Sequence, residues 1–380
     1  MSKKKPLLFF TNLHPLPWQE TRATYNLEET KHLSEHYDIK KLIPVPWFTW
    51  LKQVLVKGYR ADKDTCLFPF FYVPKLMTSL HPLFLGISMV ISVKPLLWML
   101  SAKRVIASWA YAEGVCAAFF KGFVGNKLII ESLGSDINAL MTKPLHKRQM
   151  KWAFKKASFV TGKSQALVTA IKSHISQVKT EVVYNGVDFD SFTLRTSPVF
   201  ESATINLVFI GSVIKTKGIF ELIDAIALLK AQNISINLDL VGAGAQMNEL
   251  KEKINQLGIA DSVNVVGPIP HESLMSFIHK SDALILPSYR EGVPNVVMES
   301  LSTGTPVIVT KVGGIPEVVK DNVNGIFIGA LSAQSVSEAI LQARNVTWQR
   351  ETIRASISHL TWTNTAQHIQ SLLEKNNDSI

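Results

Sequence analysis

The chain has 380 residues, 47% of them hydrophobic and 18% charged, with a formal net charge of +10. That length exceeds one typical hydrophobic core, so two domains are expected, and the composition excludes a disordered, fibrous or low-complexity chain. Two cysteines far apart, Cys66 and Cys116, exclude a disulfide framework and a zinc site, and a reducing cytoplasmic setting is expected.

Behind Lys3-Lys4-Lys5, the apolar stretch 7–10 is too short for a signal peptide and reads as a first strand. Further strands are predicted at 39–45, 105–108, 128–131 and 159–162, with helices at 28–36, 114–123, 145–156 and 165–174. Strands alternating with amphipathic helices imply a parallel α/β sheet. Residues 80–100 could be mistaken for a membrane span, but Pro82, Lys94 and Pro95 interrupt them. The unbroken run 83–93 is well short of the roughly 20 residues a crossing needs. It reads as a buried helix, or as one docked at a bilayer interface or lining an acceptor cleft. Thr161-Gly162-Lys163-Ser164 imitates the end of a phosphate loop, but Ala157 holds the required upstream glycine position in mid-helix, which excludes it.

Residues 1–190 hold 26 Lys and Arg against 13 Asp and Glu, whereas the remainder is slightly acidic. This asymmetry points to an anionic partner for the first half, a membrane surface or a lipid-diphosphate acceptor, or else to a merely basic solvated face. The basic residues are scattered and carry no nucleic-acid-binding motif.

After a linker around 191–204, strands are predicted at 206–210, 237–241, 263–266, 283–286, 306–309 and 325–328, and a last helix at 362–375. The first strand runs into Gly211-Ser212-Val213-Ile214-Lys215-Thr216-Lys217-Gly218. Strand C-terminal ends are where open α/β sheets hold ligands. Gly242-Ala243-Gly244 follows the second strand, but a dinucleotide motif would need glycine at Met247, so a tight turn letting backbone approach a nucleotide is expected instead.

The fourth strand leads into Pro287-Ser288-Tyr289-Arg290-Glu291-Gly292-Val293-Pro294-Asn295-Val296-Val297-Met298-Glu299. A helix should open near Asn295, with Asn295 able to cap its free donors. Glu291 then lies in the turn before the helix and Glu299 about one turn inside it. The N–H groups of a helix start form an anion site, and a carboxylate on each side can accept bonds from sugar hydroxyls. Such a constellation describes a nucleotide-sugar pocket.

The E-x7-E stretch, followed by Ser302-Thr303-Gly304-Thr305-Pro306 and Gly313-Gly314-Ile315-Pro316-Glu317, resembles the donor-binding half of family 4 retaining glycosyltransferases of the GT-B fold. The segment from Leu207 to Gly218 resembles that family's opening of the C-terminal domain. Asn185-Gly186-Val187-Asp188 is similar to its N-domain exit, and Gly134-Ser135-Asp136-Ile137 to a loop of its bacterial polysaccharide-making members.

The resemblance implies two Rossmann-like domains with parallel sheets facing across a cleft: 1–190 on the acceptor side, 205–345 holding the donor, and 346–380 as terminal helices, the last packing back on the first domain. It implies metal-independent transfer of a sugar, with retention, from a nucleoside-diphosphate sugar to a saccharide or lipid-linked acceptor in cell-surface polysaccharide synthesis. A nucleotide-sugar epimerase or hydrolase on the same fold, or a non-catalytic binding protein, are the alternatives. The donor is a co-substrate and no cofactor or metal is expected. Glu291 would contact the donor sugar, Glu299 the ribose, and Lys217 the diphosphate; Gly211, Ser212, Gly242, Gly267, Gly292, Pro294, Asn295 and Val296 would complete the donor pocket. Two positions depart from the family: Ser212 stands where an Arg is usual, with Lys215 near enough to compensate, and Leu133 where many members carry His. Asp136 is then the polar candidate of the first domain. Arg22, in Glu20-Thr21-Arg22, would face the diphosphate.

Overall fold

A computed structural model describes residues 4–20, 22–73 and 76–375; Lys3 and Thr21 lie outside them. Two compact units result, one of residues 1–186 with 362–380, the other of residues 187–361. The first holds a seven-stranded parallel sheet: β1 (Lys5–Phe10), β2 (Tyr37–Pro46), β3 (Thr65–Phe70), β4 (Arg104–Ser108), β5 (Lys127–Ser132), β6 (Phe159–Gly162) and β7 (Thr180–Val182). Its spatial order is β3-β2-β1-β4-β5-β6-β7. In the second unit, β8 (Ile205–Ile210), β9 (Ile236–Val241), β10 (Val263–Gly267), β11 (Ala283–Leu286), β12 (Val307–Thr310) and β13 (Gly325–Ile328) run in the order β10-β9-β8-β11-β12-β13. Both sheets thus reverse direction, the first between β1 and β4 and the second between β8 and β11, and such a switch point is where ligands bind in open α/β sheets.

The period of two along a strand divides each sheet into two cores. Leu8 and Phe10 of β1, Val105 and Ala107 of β4, and Leu128 and Ile130 of β5 belong to one cluster. Leu7, Phe9, Ile106 and Ile129 face the other, where Ala366, Ile369, Leu372 and Leu373 of the last helix, Trp362–Glu374, cover them. That helix therefore belongs to the first unit. Residues 191–204 are not a free tether, because Phe192 and Arg195 are buried in the second unit. There the Arg195 guanidinium donates to Ser281 O and to Thr305 Oγ1 at 3.2 Å.

The apolar run 83–93 lies in the helix His81–Ser92 and ends at the break before a second helix, Lys94–Ser101, the pair being bent by 105°. Pro95 causes the break, because inside a continuous helix its ring would clash with the carbonyl four residues back. Among the described residues no single helix is long and apolar enough to cross a membrane; this bent pair passes only by combined length and composition. Leu85 and Met89 are fully buried, while Leu83, Ile87, Val90 and Ile91 on the same helix are exposed. One face of this helix is therefore core and the other is open.

Candidate donor site in the second unit

The two strands flanking the switch point, β8 and β11, each release one loop of the site. After β8, Gly211 leads through Ser212 into a 3₁₀ turn, Lys215–Lys217, and then the helix Ile219–Ala231. Gly218, between turn and helix, has φ +65°, and a Cβ there would lie 1.8 Å from Pro287 O. Only glycine allows so close an approach, and it brings Lys217 against the loop that follows β11. The Tyr289 N–H donates to Thr216 O at 3.0 Å and ties the loops together.

Lys217 and Glu291, 74 positions apart, meet directly: Nζ lies 2.5 Å from Oε1. The Ser288 hydroxyl donates to the same oxygen at 2.6 Å. Side-chain exposure is 9% for Glu291 and 23% for Lys217, so the carboxylate is largely enclosed while the ammonium keeps a path to solvent. From the other side Gly313, at φ +55°, presses on the turn; a Cβ there would stand 1.8 Å from Glu291 O.

The helix after this turn is Asn295–Ser302. Asn295 is its first residue, not its cap: Pro294 occupies the cap position, and no side chain caps the helix. The fixed φ of proline presets that entry without needing a side-chain acceptor. Glu299 is buried inside the helix, and His271 Nε2 lies 2.9 Å from its Oε1. Each carboxylate of the E-x7-E pair thus has its own nitrogen partner. Sequence reasoning missed His271; the available signal was its place just beyond the C-terminal end of β10, the same edge from which the other site loops rise.

Gly211, Gly242 and Gly267 stack in a row across three strand ends: Gly211 N donates to Val241 O at 3.0 Å and Gly242 N to Gly267 O at 2.9 Å. The close backbone approach expected of the Gly242 turn is made to the neighbouring loop, since Val213 N donates to Ala243 O at 3.0 Å. Gly292 accepts from Gly314 N at 2.9 Å, and Val296 is half-buried in the helix's first turn. Ser212 is exposed, with no cation in its place. The Lys215 ammonium pairs with Glu249 at 3.1 Å and sits 5.8 Å from the Phe220 ring.

In the first unit Asp136 is fully buried. Its two oxygens accept from the backbone N–H groups of Ala110, Leu133, Gly134 and Ile137, so the side chain holds its loop rather than facing solvent. Arg22 donates to Gln19 Oε1 at 3.5 Å. Lys163 of the rejected phosphate-loop imitation lies buried between Glu29, at 2.7 Å, and Glu131, at 3.2 Å. Burial and the Glu131 charge push the Glu29 carboxyl up to about 8. Burial works against the Lys163 charge, but the two carboxylates hold its affinity for the proton above the ordinary range. Ser164 caps the next helix by accepting from Leu167 N at 3.1 Å. Glu113, beyond β4, is buried and pushed up to about 8 chiefly by that burial.

Residues 191–354 match the family described as glycosyl transferases group 1. An uncharacterised glycosyltransferase of Methanocaldococcus jannaschii is 27% identical over 249 residues, covering 64% of this chain and 66% of that protein. The amylovoran biosynthesis glycosyltransferase AmsK of Erwinia amylovora is 26% identical over 170 residues, 43% of this chain and 42% of its own length. The chain spans under two thirds of the length of the curated relatives it matches. Among solved structures, Anabaena HepE, crystallised with UDP and glucose, superposes with a TM-score of 0.73 at 20% identity over 98% of this chain and all of that one. This likeness shows the fold, two Rossmann-like parallel-sheet units of the GT-B type.

Proposed function

We propose that this chain, which belongs to the group 1 glycosyl transferases, moves a sugar from a nucleoside diphosphate to a saccharide or lipid-linked saccharide acceptor, with retention at the anomeric carbon. The observation that carries this reading is the Lys217–Glu291 pair at the β8–β11 switch point, beside the start of the helix Asn295–Ser302. A diphosphate needs a cation and free N–H groups, and a sugar needs a carboxylate acceptor within reach of the same place. The meeting of Lys217 and Glu291 within one loop pair supports both demands.

In this reading the bond from the anomeric carbon to the phosphate oxygen breaks and the bond to the acceptor oxygen forms on the same face. The acceptor proton passes to the departing phosphate oxygen. Lys217 and the helix N-terminus stabilise the charge that develops on the diphosphate, and Glu291 orients the sugar by accepting hydroxyl bonds. Glu299 receives the ribose. A role in polysaccharide synthesis is supported by the amylovoran relative, and work at an anionic membrane surface by the basic excess of residues 1–190.

Calorimetry against UDP, GDP and ADP and their common sugars tests the donor site, and NMR of the product anomer tests retention. Binding of none of these nucleotides would defeat the reading. Donor breakdown that ignores every acceptor would replace it with hydrolysis or epimerisation.

A further inference from the structure

Among the described residues, all but four of the exposed large hydrophobic side chains (Leu228, Leu257, Tyr289 and Val323) belong to the first unit. Six of them, Leu83, Ile87, Val90, Ile91, Phe119 and Trp152, line one groove of about 510 Å³ between the helices His81–Ser92 and Val115–Val124. Ile91 is 62% exposed and Phe123, whose ring centroid lies 5.3 Å from that of Phe119, is 73% exposed. Proteins without a partner rarely leave so continuous an apolar face in water.

Trp152 also lines a second cavity, of about 430 Å³, with Arg148, Lys151 and Lys155. These come from the helix Pro144–Lys156, which carries five Lys and Arg and no acidic residue. Neither cavity has an Asp or Glu in its lining. Apolar and cationic surface therefore meet at an indole, the side chain that favours the boundary between acyl chains and headgroups. Neither a soluble polyanion nor an apolar protein partner would use both halves of this surface; an anionic bilayer does.

We propose that this face of the first unit docks on an anionic phospholipid bilayer. Leu83, Ile87, Ile91, Phe119 and Phe123 enter the acyl boundary, Trp152 lies at its level, and Arg148, Lys151 and Lys155 meet the lipid phosphates. Two weak signals together give stable attachment where either alone is marginal. That a lipid-borne acceptor is met there rests on the transfer reading; the docking itself does not.

The test is flotation of the full chain with vesicles of phosphatidylcholine containing about 30% phosphatidylglycerol, against pure phosphatidylcholine. Partition should be about tenfold lower on the neutral vesicles and should fall at high salt, because the attraction is screened over about 8–10 Å. Ile87→Asp with Ile91→Asp, and separately Arg148→Glu with Lys155→Glu, should each lower it about tenfold, whereas Val323→Asp on the second unit should not. If the apolar pair prevents folding, the charge pair, at exposed positions, still decides. No flotation on anionic vesicles, or flotation that both paired variants leave intact, overturns the proposal. So does self-association in sedimentation that the apolar pair dissolves, which would assign the face to a second copy. Donor turnover is followed in the same preparations without vesicles. Absent flotation of the unaltered chain with intact turnover sinks the docking alone, and absent turnover with intact flotation sinks the transfer reading alone.

Discussion

Replacing Glu291 with Gln removes one charge from the Lys217–Glu291 pair and nearly nothing from its shape. At 2.5 Å two unit charges attract by about 6–7 kcal/mol at an effective dielectric of about 20. Desolvation takes back most of that, leaving about 1.5–3 kcal/mol for a charge-assisted hydrogen bond. Lys217 keeps 23% of its side-chain surface exposed, so water replaces part of what it loses, and about 1–1.4 kcal/mol remains. In the proposed donor complex Lys217 gives up this amount when it turns to the diphosphate. Glu291→Gln should therefore tighten binding of the bare nucleoside diphosphate roughly five- to tenfold. The same change should lower transfer by roughly a hundredfold or more, because the acceptor for the sugar hydroxyls loses its charge. Calorimetry with the nucleoside diphosphate and product formation under saturating donor measure the two effects separately. A nucleotide affinity weakened tenfold in the variant would refute the reasoning, since it would mean that Glu291 binds the nucleotide or holds Lys217 in its working position.

Glu299→Ala should weaken bare-nucleotide binding by about 1–3 kcal/mol; calorimetry showing no change would remove Glu299 from the nucleotide site. Leu85→Ala should cost about 2–4 kcal/mol of stability by opening a cavity in the first unit, while Ile91→Ala on the exposed face should cost under about 0.5 kcal/mol; equal shifts in urea midpoint would contradict the two-faced helix. Glu113 is raised from 4.5 to about 8 mainly by burial, so folding favours its protonated form. The stability it adds is complete below the unfolded value and is lost as pH rises through about 8. Glu113→Gln should flatten that decline by about 2–5 kcal/mol; an unaltered profile of Tm against pH would show that Glu113 is not held protonated.

The sequence by itself determined the alternation of strands and helices, because hydrophobic period is local. It therefore carried the class of fold, most strands, the strand-to-helix loops holding Lys217 and Glu291, and the helix that carries Glu299. β3 and β7 were missed for the same reason: Pro69 interrupts the pattern of one, and the other is three residues with no buried side. Only pairing with a neighbouring strand makes either a strand. Tertiary structure alone decided contacts between distant positions. Lys217 meets Glu291 because two strands distant in sequence became neighbours at the switch point, and His271 reaches Glu299 from the loop after another. It also decided which face of the run 83–93 is core: Leu85 and Ile87 are equally apolar, and period identifies a helix side without saying what covers it. Asp136 shows the same limit, since a loop carboxylate in sequence can face a ligand or its own backbone, and here four amides converge on it.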